Sequence, residues 1–126
     1  MVKNDFRRLA RAAAAAADDK KAVDVLILDI RKESDLADYM VIAGAQSSAQ
    51  MDALSDAVEE SLLDLGTKAL HREGRPKDRW MALDYGGVVV HLLLLEARAF
   101  YRLESLWEKA KRVPWDNNGK VKRRDR

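Results

Sequence analysis

A chain of 126 residues that is 48% hydrophobic and 35% charged has the composition of one globular domain with its own core, which excludes disordered and fibrous classes. It has no cysteine, so disulfides, thiolate metal sites and cysteine nucleophiles are excluded and a reducing, cytoplasmic location is expected. The net charge of +2 hides an asymmetry: Lys109 to Arg126 carry eight Lys and Arg against two Asp, which leaves −4 on the rest, a pattern that fits either contact with a polyanion or a solvated end.

At the N-terminus, Arg7, Arg8 and Arg11 beside an alanine run resemble a transit peptide superficially, but Asp5, Asp18 and Asp19 flank them, so the segment is read as mature structure. Asn4 is placed to cap a helix in which Phe6, Leu9, Ala13 and Ala17 recur at helical spacing, and so small a buried face can approach a sheet closely. Val23 to Ile30, VDVLILDI, is apolar, rich in β-branched residues and too short for a typical helix, which makes it a strand. A polar loop, Arg31 to Ala37, leads to a second strand, Asp38 to Ala43, ended by Gly44. That loop length is compatible with antiparallel pairing.

Ser47 and Gln50 form a capping box for a second helix beginning near Ser48. Met51, Leu54, Val58, Leu62 and Leu65 make its apolar stripe, Asp52, Asp56, Glu59, Glu60 and Asp64 its acidic face, and Gly66 its C-terminal stop. Thr67 to His71 reads as a third strand, and Gly74 and Pro76 punctuate a loop over residues 73–78. The longest apolar runs, such as Ala12 to Ala17 and Leu92 to Leu95, are far shorter than the roughly 20 residues of a membrane span, so a soluble protein is expected.

The rest of the chain is organised around Trp80 to His91, WMALDYGGVVVH. Gly86-Gly87 can supply the positive φ angles of a tight turn, and β-branched Val88 to Val90 suit a partner strand, so a β-hairpin is expected. Val88 to Leu95 is apolar except at His91, as in a strand covered on both faces, whereas the Trp80 strand lies nearer an edge. Alternation places Trp80 and Asp84 on one face and Met81, Leu83 and Tyr85 on the other. A third helix follows, with Phe100, Leu103 and Trp107 on one face and Ala99 and Leu106 beside them. The order αββαβββα gives an α/β (α+β) class, with a mixed five-stranded sheet flanked by helices. Residues 1–108 are expected to form the domain and residues 109–126 a basic, disordered tail.

Little chemistry is visible. His71 and His91 have no second His or Cys at ligand spacing, and His91 on an apolar strand reads as a hydrogen-bonded core residue rather than a catalyst. Asp24 and Asp29 are five apart on one strand and face opposite ways, so they cannot pair on a metal. There is no GxxxxGK[ST] or GxGxxG motif, capping alone explains GAQSS before a helix, and Ser47 and Ser48 have no candidate base near in sequence. No catalytic, cofactor or metal residue is expected, hence no enzyme.

In order and spacing, LADYMVIAG, SSAQMDALSDAVEE, WMALDYGGVVVHLLL and RAFYRLESLW resemble the ribosomal silencing factor family, also called Iojap-like, in its bacterial type. The resemblance covers roughly Asp18 to Trp107. It implies a non-enzymatic factor that binds the large ribosomal subunit at ribosomal protein fourteen on the joining face and sterically blocks the small subunit, repressing translation initiation. It also implies a fold similar to nucleotidyltransferases without their catalytic carboxylates, and homodimers in some members. The sequence departs from the family at Gly87, where an aspartate is usual, at Ala49, where a basic residue is usual, and at Leu94-Leu95, where His-Pro is usual. The basic tail lies outside the resemblance. The contact surface is expected on the hairpin, at Trp80, Asp84, Tyr85 and Val88, with the aromatic groups as anchors and Asp84 facing a basic ribosomal protein. Two other classes are an RNA-binding module that contacts ribosomal RNA through the basic tail, and a diverged nucleotidyltransferase-like enzyme.

Overall fold

The structure, a computed structural model, describes residues 5–115. Six strands form one mixed sheet in the order β3-β4-β5-β2-β1-β6, one strand more than expected. They are β1 (Val23–Asp29), β2 (Tyr39–Ala45), β3 (His71–Glu73), β4 (Trp80–Asp84), β5 (Val88–Leu94) and β6 (Lys111–Arg112). The central pair, β2 and β5, is parallel, with Tyr39 opposite Val88 and Ala45 opposite Leu94, and every other pair is antiparallel. Every residue of β2 is buried.

Two helices, α1 (Phe6–Asp19) and α2 (Ser48–Asp64), cover one face of the sheet. In α1 the buried positions are Ala10, Ala13, Ala14 and Ala17, small enough for the helix to lie close over Val41, Ala43 and Val90 in the same core. The N-cap of α1 is Asp5, whose carboxylate accepts the Arg8 N–H at 3.2 Å; the expected cap, Asn4, lies outside the described residues. In α2 the Ser47 hydroxyl accepts the Gln50 N–H at 3.1 Å, while the Gln50 side chain takes the Gln46 N–H and donates to the Lys20 and Lys21 carbonyls. The capping box therefore also fastens the end of α1 to the start of α2. Gly66, at φ +86°, ends α2, with the N–H groups of Gly66 and Thr67 returning to Leu63 and Leu62.

A smaller core on the opposite face joins Leu26, Leu28, Met40, Ile42 and Leu93 to Ala97 and Leu103. Here the third helix differs from expectation. α3 spans only Leu95–Tyr101, Arg102 turns left-handed at φ +48°, and a 3-10 helix runs over Leu103–Trp107. The turn breaks the helical stripe, so Leu103 is 7% exposed while Phe100 is 79% and Leu106 67% exposed. The third strand also begins later than expected, at His71, because residues 67–70 carry the chain away from the end of α2; only the Leu70 N–H of that stretch is bonded to β4, at Asp84 O.

The expected boundary at residue 108 is corrected as well. Beyond it, β6 pairs with β1, the Val113 N–H reaches Ile27 O, and the Trp115 indole, 6% exposed, donates to Val25 O at 3.3 Å. Val113 and Trp115, two residues apart, both join the main core beside the β1 edge, so the domain continues through Trp115. The rest of the expected tail, residues 116–126, lies outside the described residues.

Candidate functional site

The β4–β5 hairpin presents different chemistry on its two faces. Met81 and Leu83 of β4 and Val88, Val90 and Leu92 of β5 are fully buried beneath α1 and α2. Trp80, Ala82 and Asp84, with Val89 and His91 across the ladder, lie on the other face and are only half-buried. Of the turn glycines only Gly86 takes a positive φ, +87°, and the Tyr85 N–H closes on Val88 O at 2.8 Å. A Cβ on Gly87 would run into the Phe6 ring, so this glycine is needed for close approach.

On the half-open face four rings stand in a row. The Trp80 indole Nε1–H donates to His91 Nδ1 at 2.9 Å, with ring centroids 5.8 Å apart in an edge arrangement. Tyr101, arriving from α3, lies 4.7 Å from Trp80, and Phe100 meets Tyr101 edge-on at 5.0 Å. These separations fall in the attractive range for aromatic pairs. Tyr101 is 50% exposed; with Phe100 it forms a continuous apolar patch of the kind that marks an interaction site. Arg98 anchors α3 behind the row, donating to Val23 O at 3.0 Å and pairing with Glu104 at 3.6 Å.

The four residues expected at the contact divide between the faces. Trp80 and Asp84 are on the half-open one, although Asp84 Oδ1 is engaged by the Gly86 N–H at 2.8 Å, an Asx-type bond that steadies the turn. Tyr85, 5% exposed, and Val88, fully buried, point into the main core. Strand alternation forces the division, and it removes both side chains from any surface shared with Trp80. Burial, with the Glu59 carboxylate nearby and partly offset by Arg72, pushes the Tyr85 phenol up to about 12, so it stays neutral. Phe100 and Tyr101 were not expected at the site. Helical periodicity assigns Phe100 to a buried stripe, and no Gly or Asn marks the left-handed stop at Arg102 that turns it outward.

His91 is the hydrogen-bonded strand residue the sequence suggests, and burial lowers its imidazole to about 4. Among the described residues no group of three His, Asp or Glu side chains could hold a metal ion, and no helix is long and apolar enough to cross a membrane. A depression of about 1020 Å³ over α1 mixes Arg7, Arg8 and Arg11 with Asp19, Glu60 and Asp64, the makeup of a solvated helical surface rather than a site for one charge type.

The family described as "Ribosomal silencing factor during starvation" (RsfS) matches residues 3–126. The chain is 37% identical to the ribosomal silencing factor RsfS of Bacillus subtilis over 101 residues, 80% of this chain and 86% of that one. It is 30% identical to the mouse protein named mitochondrial assembly of ribosomal large subunit protein 1, over 70% of this chain and 40% of that one. The crystal structure of a Chromobacterium violaceum protein superposes with a TM-score of 0.79 at 32% identity, covering 82% of this chain and 87% of that one.

Proposed function

The chain belongs to the ribosomal silencing factor family, and from that premise we propose that it represses translation by binding the large ribosomal subunit through the Trp80 face. On this reading it docks on ribosomal protein fourteen of that subunit, and its bulk keeps the small subunit from joining. The observation that carries the proposal is the row of rings from Trp80 to Phe100 on the face that α1 and α2 leave uncovered. Interface energy is concentrated in a few residues, aromatic ones above all, surrounded by a polar rim. Asp84, at the turn end of the same face, supplies a negative rim charge suited to a basic ribosomal protein. Steric exclusion requires no bond to be made or broken, so the factor acts by occupancy and not by turnover. The large-subunit assignment is supported further by the name of the mouse relative.

A subunit-joining assay with purified protein tests this directly. The wild type is expected to reduce the amount of joined ribosome and to sediment with the large subunit. Trp80→Ala should weaken that binding by about 2 kcal/mol, roughly thirtyfold, as truncation of a central aromatic anchor does. A folded Trp80→Ala protein that still binds the large subunit and blocks joining as well as the wild type would refute the surface.

A further inference from the structure

Beside the aromatic anchors, the half-open face holds one polar side chain that docking as described does not use. His91 sits on β5, diagonally across the ladder from Trp80, with Nδ1 2.9 Å from the indole Nε1. An indole N–H can only donate, and an imidazolium offers only donors. The bond therefore requires Nδ1 to be unprotonated, with the imidazole proton on Nε2. Burial keeps the ring in that neutral state at ordinary pH.

On β4 the indole is only half-buried, so packing leaves its ring some freedom. The second torsion of a tryptophan is broad, and turning about it swings the N–H edge and the benzo ring together. Tyr101, 4.7 Å away and inclined at 50°, is a ring contact, which is less directional than a hydrogen bond. An acceptor at a fixed place adds the directional restraint that ring packing lacks. His91 provides one from the strand already registered against β4.

We infer that His91 is a positioning residue for partner binding: by accepting the Trp80 indole N–H it restrains the ring in one orientation, and the partner meets an anchor already set. The inference rests on the proposed role of the Trp80 face. Holding the anchor in its bound orientation lowers the ordering cost of association, and the net value of one such hydrogen bond corresponds to a fivefold to tenfold effect, on the order of 1 kcal/mol.

The test pairs large-subunit binding with nuclear magnetic resonance of the three tryptophan indole N–H groups, assigned with single Trp→Phe variants. His91→Phe keeps a ring but removes the acceptor. It should shift the Trp80 N–H resonance, speed exchange of that proton with solvent about tenfold, and weaken binding about fivefold to tenfold. His91→Gln, which restores an acceptor oxygen, should recover most of the affinity, and in a Trp80→Phe background His91→Phe should cost nothing further. Normal binding by His91→Phe despite faster exchange overturns the positioning role while leaving the surface intact. An unchanged resonance and exchange rate overturns it by showing that the bond is not made in solution. Normal binding by Trp80→Ala would mean that the surface itself is misplaced, and the inference falls with it. Should His91→Phe fail to fold, Trp80→Phe removes the same bond from the donor side, and wild-type affinity in that variant overturns the inference.

Discussion

At His91 a single proton couples the site to stability. Its imidazole is lowered from 6.5 to about 4 by burial, so between those values the unfolded chain binds a proton that the folded chain resists. The contribution of the neutral ring is fully present above about pH 6.5 and is lost as pH falls toward 4. At about 1.36 kcal/mol per pH unit, the loss approaches about 3 kcal/mol. Urea unfolding across this range should show that decline, with a smaller one in His91→Phe; equal slopes would detach it from His91. Gly87 illustrates a different single-residue dependence. An aspartate at this position would push a Cβ into the Phe6 ring, whose packing on the main core ties the start of α1 to the hairpin turn. Gly87→Asp is expected to cost about 1 to 3 kcal/mol, as overpacking does, and Phe6→Ala in the same chain should return part of it. Additive losses in a double-mutant cycle would show that the two residues do not interfere.

Among the elements, α3 depends least on its own sequence. Its N-cap, Leu94, makes no side-chain hydrogen bond, and the helix spans seven residues, too few to hold without tertiary support. Ala97 in the second core and the bonds from Arg98 to Val23 O and Glu104 hold it in place. Its stop at Arg102 forces a residue with a Cβ into the left-handed region at φ +48°. Arg102→Gly relieves that conformation and should raise stability by about 0.5 to 1 kcal/mol, read as a higher urea midpoint at unchanged slope; a lower midpoint would mean that the arginine side chain contributes more than the turn costs. The same element shows where sequence reading stops. Strand alternation in β4 and the stripe of α2 were legible because one period runs unbroken through each: Met81 and Leu83 are buried, as are Met51, Leu54, Val58 and Leu62. Phe100 escapes the same logic because the period breaks at an arginine, a residue with no turn preference to announce it. Trp80 and Asp84 could be placed on one face from alternation, but the meeting of Trp80 with Tyr101 is a tertiary contact between elements separated by β5, and no local pattern encodes it.

For the molecule as a whole, residues 109–115 are part of the domain. Val113 and Trp115 enter the main core and β6 borders β1, although net charge alone reads this stretch as tail. A chain ended at Glu108 should therefore be less stable than one ended at Trp115 by about 3 kcal/mol or more, given the 3 to 5 kcal/mol typical of removing a buried tryptophan side chain. Equal melting of the two chains would contradict this closure of the β1 edge. On the function proposed above, the whole body of the protein is the effector, since occlusion depends on size and placement rather than on any one reactive group.

The parallel pairing of β2 with β5 also governs the order in which the chain can assemble. The β4–β5 hairpin closes a loop of only a few residues, whereas Tyr39 reaches Val88 only after α2 and both strands beyond it have been made. Closing so long a loop is entropically costly before any contact offsets it. The Trp80–His91 contact therefore lies within the unit able to form first. The central pair, on which both cores converge, marks the slow step, and on a chain emerging from its own ribosome β1 has an unshielded edge until the last strand follows.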